Sequence, residues 1–446
     1  MRFAKNRLIT GTLILTAASF ISRIFGFFYR MFLSQTFGEE SMGIYQLISP
    51  VIALSYSFAI AGIETSISKY IAACNCEKKE SSKIHVLQIG VLLSVGLSIL
   101  TGFIIFEYAE PISVLLLMEK RCTPLVRIYA ISMPLAAVHS CINGYYYGLK
   151  KTAVPAVSQL IEQMVRVGSV YLICEIIYQM DKTPSISVAA IGLVAGELAS
   201  TLTCIISMRL FSKKDFLISD TGTVSNSAIL NGIIKMALPL TLNRIVLNLF
   251  HSVESVYIPN RLLLFGLSQK DALSLYGVLT GMAFPLIFAP STLTNSLSVL
   301  LLPYVSEAES MNRTNRIVSA FRKCLAGCIF LGVICGVIFF LFGDFFGMLL
   351  FHSKKAGDFI VSLSYICPFL YLGGVLSSIL HGLGRAGCVF WLQLISLLIR
   401  LLFVFIAIPL IGIQGYLIGI LVSQLVFCIL IFIALKDYIY YNRNVL

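Results

Sequence analysis

Residues 134–166 read PLAAVHSCINGYYYGLKKTAVPAVSQLIEQMVR, and residues 368–400 read PFLYLGGVLSSILHGLGRAGCVFWLQLISLLIR. Set against each other at an offset of 234 positions, without a gap, Pro134 meets Pro368 and Gly148-Leu149 meets Gly382-Leu383. Lys151 meets Arg385, Gln159-Leu160-Ile161 meets Gln393-Leu394-Ile395, and Arg166 meets Arg400. Upstream in the same register, Glu110 meets Asp344, Leu115-Leu116 meets Leu349-Leu350, and Lys120-Arg121 meets Lys354-Lys355. Chance supplies leucine matches in apolar sequence. It does not readily supply proline, glycine, glutamine and arginine in one register, so the chain is internally duplicated.

Composition says what was duplicated. Of 446 residues, 58% are hydrophobic and 12% are charged, and the mean hydropathy is +0.91. A soluble domain carries about 25% charged residues, so a water-soluble enzyme is excluded, and the apolar mass equally excludes disorder. A membrane span takes about 20 apolar residues. Apolar runs predict twelve spans, at 8–34, 44–72, 85–107, 124–149, 153–178, 187–208, 236–262, 273–305, 324–342, 359–383, 387–411 and 414–435. The runs are too long for barrel strands and lack their alternation, so the expected fold is an all-α integral membrane protein. Two short apolar pieces, Pro111 to Met118 and Phe345 to Phe351, are expected to lie along the outer surface.

The net charge of +12 does not indicate nucleic acid. Nineteen basic residues fall in connections on the N-terminal side, among them Arg2, Lys5, Arg7, Lys78, Lys79, Lys213, Lys214 and Arg443, against six on the other side. Positive charge marks the cytoplasmic side, so both termini are expected there, with the first span retained. The polar stretch 211–232 reads as a cytoplasmic linker between a six-helix bundle at 1–210 and another at 233–446. Six spans per repeat give both bundles the same orientation, a parallel repeat. Two such bundles facing a central cleft make a transporter architecture.

Charge inside a span is costly, so each such group suggests a pair or a function. Arg23 and Arg30 lie seven apart on one face of the first span, with Gly26 between them. Glu64 lies on the second span. Arg244, Asn248 and Glu254 share a polar stripe on the seventh, with Arg261 a turn or more beyond. Glu162 and Arg166, at i and i+4 on the fifth, read as a structural ion pair. The second repeat keeps Arg400 but has Ser396 in place of the acid, which leaves Arg400 without a local partner. The eight candidate substrate-binding residues are thus Arg23, Arg30, Glu64, Arg244, Asn248, Glu254, Arg261 and Arg400. Span cations outnumber span acids eight to five, which suits an anion, and arginine forks match phosphate oxygens. The five histidines show no metal-ligand spacing and there is no Walker motif, so no catalytic residue, metal or cofactor is expected. The twelve cysteines read as packing residues or free thiols. A coupling ion, H+ or Na+, is left open.

Ser22-Arg-Ile-Phe-Gly-Phe-Phe-Tyr-Arg30, Phe37-Gly-Glu-Glu, Gly43-Ile-Tyr-Gln46 and Ala61-Gly-Ile-Glu-Thr-Ser-Ile-Ser-Lys69 resemble the opening spans of the stage V sporulation protein B branch of the multidrug, oligosaccharidyl-lipid and polysaccharide flippase superfamily. Gly144-Tyr-Tyr-Tyr-Gly-Leu-Lys150, Pro155 to Arg166, and Leu238 to Glu307 with Pro259-Asn-Arg261 and Leu275-Tyr-Gly277 resemble its later signatures. The resemblance implies a MATE-like flippase fold, related to lipid II flippases. It implies transport of undecaprenyl-diphosphate-linked saccharides across the bacterial cytoplasmic membrane, with a role in peptidoglycan and sporulation. It implies as partners the bilayer, the lipid-linked oligosaccharide and cell-wall synthesis enzymes. Many relatives carry fourteen spans where twelve are read here. The other reading is a cation-coupled multidrug exporter of the same architecture, which arginines on the first span disfavour by repulsion.

Overall fold

The computed structural model of the protein describes residues 2–76, 80–211, 226–311 and 313–444, and the side chains within 14–438 apart from 75–76, 80–82, 211, 228 and 300. The core of the expected linker (212–225), Lys78, Lys79, Lys213, Lys214, and the side chains of Arg2, Lys5, Arg7, Cys76 and Arg443 lie outside this set.

Every regular element among the described residues is helical. In chain order these are α1 (Arg2–Leu47), with a non-helical residue at Gly38, α2 (Ser49–Tyr56), α3 (Gly62–Cys76), α4 (Glu80–Glu107), α5 (Thr123–Gly148), α6 (Ala153–Gln179) and α7 (Ser187–Phe211). There follow α8 (Asn226–Leu264), α9 (Gln269–Gly277), α10 (Phe284–Phe288), α11 (Ser291–Ser310), α12 (Thr314–Phe351), α13 (Lys354–Leu363), α14 (Cys367–Gly382), α15 (Ala386–Leu402), α16 (Ile408–Ile411) and α17 (Ile413–Asn444). Wider π turns join α2 to α3, α9 to α10 and α15 to α16.

Ten described segments are long and apolar enough to cross a membrane, and the first, Ile14–Cys74, has 61 residues. At about 1.5 Å per residue it is long enough for two passes. Helix α6 is not among the ten, because Gln159, Glu162, Gln163 and Arg166 lower its hydropathy, yet its 27 residues reach about 40 Å. About twelve spans follow. The eighth expected span is broken by Pro285, in the first turn of α10, and by Pro290, which caps α11. Phe345 to Phe351 is no separate surface piece: it forms the last turns of α12.

The offset of 234 recurs in the backbone. Met118 and His352 are both left-handed (φ 56° and 51°), as are Lys150 and Gly384 (φ 58° and 73°). The residues after the first pair, Glu119 and Ser353, are both extended N-caps whose side chains accept a backbone N–H.

Contacts divide the chain into two compact units. The first comprises residues 1–29 and 47–252, the second 30–46 and 253–446. Helices α1 and α8 each contribute to both. The division at 210 and 233 therefore stays our proposal for the duplicated repeats, while the packing units exchange a part of α1 and of α8.

Apolar tails of lipid compete with apolar side chains, so helices in a membrane associate mainly through close packing and small residues. In the first unit, Ile63, Ile67, Ile71, Val86, Cys141, Tyr145, Cys204 and Ile233 form one core. A Cβ on Gly144 would stand 2.7 Å from the Glu64 carbonyl oxygen, so glycine is what lets α5 lie directly on α3. That approach sets where Glu64 sits. In the second unit Val305, Cys328, Val375, Leu376, Ile379 and Ile431 are the core.

Candidate functional site

The polar groups of each unit form their own constellation. In the first unit, the Tyr56 hydroxyl donates to Glu64 Oε2 at 3.1 Å and lies 3.2 Å from Ser140 Oγ. Ser140 Oγ is 3.4 Å from His139 Nε2, and His139 Nδ1 is 3.0 Å from Glu197 Oε2. Glu197 stands on α7. It is 14% exposed in its side chain and belongs to the interior. On α6, Arg166 donates to Glu162 one turn away, the geometry the i, i+4 spacing anticipated.

Other expected site residues of this unit lie nearer its surface. Arg23 is exposed on α1. Arg244 is exposed on α8 and donates to Thr65 Oγ1 at 3.4 Å. Asn248, one turn further, donates to Ser57 Oγ at 2.7 Å and to the Ala53 carbonyl at 3.4 Å. These bonds fasten the middle of α8 to α2, to the π turn that follows it and to α3.

In the second unit, Glu254 is buried; its Oε1 forms an ion pair with Arg400, 2.6 Å from Nε, and accepts from the Tyr416 hydroxyl at 2.7 Å. Three helices supply this triad: α8, α15 and α17. Arg400 sits near the end of α15. Pro409 stands in the first turn of the short α16, the positive φ of Gly412 (66°) ends it, and α17 then carries Tyr416 back to the acid. Arg400 therefore has its carboxylate, from a helix 146 positions away in sequence. Ser396, which stands where Glu162 stands in the first repeat, donates to the Ser423 carbonyl at 3.1 Å.

Two further arginines of this unit meet neutral groups. Arg30 is half-buried and donates to the Thr280 carbonyl at 3.4 Å. The Arg261 guanidinium lies 4.7 Å from the ring centre of Phe405 and 5.5 Å from that of Tyr257, and those rings are 4.9 Å apart. Tyr257 is one turn back on α8, and the π turn after α15 delivers Phe405. A cation over such faces is held without neutralising its charge.

The structure thus joins Glu254 to Arg400 and Glu162 to Arg166, while Glu64 is joined to a tyrosine. Sequence reasoning missed Tyr56, His139, Glu197, Tyr257, Phe405 and Tyr416. One signal was present. His139 and Glu162 each lie nine residues from the ends that α5 and α6 turn toward each other at 148–153, so they share a depth.

About twelve helical spans in a doubled repeat, with ion pairs and arginines inside, define a membrane transporter of the flippase type and not an enzyme. The chain belongs to the polysaccharide biosynthesis protein family, whose pattern matches residues 8–309. It is 28% identical to stage V sporulation protein B of Bacillus subtilis (strain 168), over 92% of this chain and 80% of that one. It is 19% identical to the lipid II flippase MurJ of the same organism, over 85% and 73%. Among solved structures, an inward-facing MATE family multidrug resistance transporter of the MOP superfamily superposes with a TM-score of 0.75 at 15% identity, covering 95% of this chain and 96% of that one. A MOP superfamily transporter from Pyrococcus furiosus, described as having a binding pocket of reversed polarity, gives 0.68 at 16% identity, covering 98% and 96%. The expected fold class, an all-α MATE-like membrane protein, holds.

Proposed function

We propose that the protein translocates an anionic, undecaprenyl-diphosphate-linked saccharide, a peptidoglycan precursor or polysaccharide unit, across the bacterial cytoplasmic membrane by alternating access, with both termini cytoplasmic. The observation that carries this reading is the state of charge in the second unit. Its buried acid, Glu254, is committed to Arg400, whereas the described contacts of Arg30 and Arg261 are to a carbonyl and two aromatic faces. Arginine left with its charge suits a diphosphate. The likeness to the lipid II flippase supports the same cargo class. Of the eight candidate ligands we keep Arg23, Arg30, Arg244, Asn248 and Arg261 for the cargo and assign Glu254 and Arg400 to each other.

A second reading, a cation-coupled multidrug exporter, is favoured by the carboxylates Glu64 and Glu197 of the first unit and by the MATE likeness. Melting of the purified protein with undecaprenyl-diphosphate sugar, and separately with ethidium, separates the two. The lipid should stabilise by about 2.7 kcal/mol at a hundredfold excess over its dissociation constant. Stabilisation by ethidium alone would put the exporter first. Complementation of a bacterium depleted of its lipid II flippase tests the same reading in cells.

A further inference from the structure

One interior carboxylate of the first unit faces an imidazole. Glu162 has Arg166 on its own helix, and Glu64 is faced by Arg244 and His139. Glu197 on α7 has His139 Nδ1 at 3.0 Å. An imidazole balances a carboxylate only when it carries a second proton, and a buried carboxylate without a counter-charge is costly. Histidine is also the side chain whose charge changes between about pH 5 and 8.

We propose that His139 and Glu197 form a proton-binding site in the interior of the first unit, connected to Glu64 through Ser140 and Tyr56. The connection is continuous: His139 Nε2 to Ser140 Oγ at 3.4 Å, Ser140 Oγ to the Tyr56 hydroxyl at 3.2 Å, and that hydroxyl to Glu64 Oε2 at 3.1 Å. With the proton bound, both ring nitrogens carry hydrogen, Nδ1 toward Glu197 and Nε2 toward Ser140. On release, the Nε2 proton passes to Ser140 as the serine and tyrosine hydroxyl hydrogens each move one step on, and Glu64 receives the last. The imidazole is then neutral, Glu64 carries the proton, and from there it leaves to water.

The charged groups around His139 come from several helices, and α1 carries Arg23 on the face where Ser19 meets Gln159 and Gly26 meets Gln163 of α6. Helix α3 presents Glu64, and Tyr56 stands at the end of α2; α6 presents Glu162 and Arg166; α7 presents Glu197; α8 presents Arg244 beyond Glu64. Helix α4 donates from Ser94 to the Ala59 carbonyl and receives the Cys141 thiol on its Gly90 carbonyl, its described titratable residues Lys83, His85 and Glu107 standing at its ends. The role of this proton as the coupling ion rests on the proposed transport; the binding site itself does not.

Nitrogen-15 histidine NMR on the purified full chain tests the site. The protein has five histidines, and His139→Gln assigns the signal; should that variant not fold, replacing the other four leaves His139 alone. Followed over the whole pH range in which the protein stays folded, the His139 resonance should titrate, at a midpoint that is the same in sodium and potassium chloride and that falls in Glu197→Gln. A resonance constant across that range means a fixed ion pair and overturns the proposal. A midpoint that drops in sodium means a sodium site and overturns it too. For coupling, Glu197→Gln should keep its stabilisation by undecaprenyl diphosphate yet lose complementation; full complementation by that variant rejects the coupling role. If the wild type fails to complement, the proposed transport falls while the titration still decides the site.

Discussion

Arg166 and Arg400 occupy the same position in the two repeats and find their acids in different places. Arg166 takes Glu162 from its own helix, while Arg400 takes Glu254 from α8. The corners at 119–121 and 353–355 repeat the contrast. At the first, Glu119 caps the turn and pairs with Arg121 two residues on, at 2.8 Å. At the second, Ser353 keeps the cap, and the acid is Glu39 of α1, which receives the Ser353 hydroxyl at 2.5 Å and Lys355 at 3.1 Å. Duplication kept the cations, the caps and the left-handed turns. In the second repeat the counter-charges come from α1 and α8, the two helices that contribute to both packing units. The second unit is thus held electrostatically by acids far along the chain from their cations, Glu39 outside the second repeat and Glu254 within it.

The strongest test removes the acid that is distant in sequence from its cation. Glu254→Gln leaves Arg400, 14% exposed in its side chain, without its carboxylate. Breaking a buried pair from one side costs about 3–5 kcal/mol, so we expect a large fall in the melting temperature of the purified protein and a partial recovery in Glu254→Gln with Arg400→Gln. An unchanged melting temperature would end the comparison. The local pair is the control. Glu162→Gln should cost less, about 1–3 kcal/mol, because both partners lie on one helix and relax together. Equal costs in the two variants would mean that the origin of the acid is immaterial. Tyr416→Phe removes one donor to Glu254 while keeping the ring, at about 1 kcal/mol.

These differences also explain what the sequence could disclose. Apolar runs and the 234-residue register disclose the spans and the doubled fold, because hydropathy is a local property. The Glu162 and Arg166 pair is legible because one helical turn joins them. Arg400 looked partnerless because its acid lies on another helix, and only tertiary packing, closed by the turn at Gly412, brings α8, α15 and α17 together. His139 and Glu197 were passed over for a related reason: each is a lone polar residue in an apolar helix, and the register between α5 and α7 that joins them is set by packing alone.

The smallest expected effect concerns pH at the corner that joins α4 to α5. Glu110, fully exposed between α4 and α5, pairs with Lys120 at 2.9 Å. The hydrogen bond from Lys120, and then its charge, hold the Glu110 carboxyl below its ordinary value, which is about 4.3 for glutamate. A lowered carboxyl favours the folded form above the ordinary value, and that contribution fades as the pH falls through the lowered one. Exposed pairs add little, so acidification should open this contact without loosening the unit. A carbon-13 carboxyl titration should place Glu110 below an ordinary glutamate, and Lys120→Met should bring it back. The pair is local, bridging ten residues of a single connection, so the melting temperature of Lys120→Met at neutral pH should match the wild type. A clear loss of stability there would mean that the first repeat, too, depends on its corner charges, and the contrast with the Glu39 corner would fail.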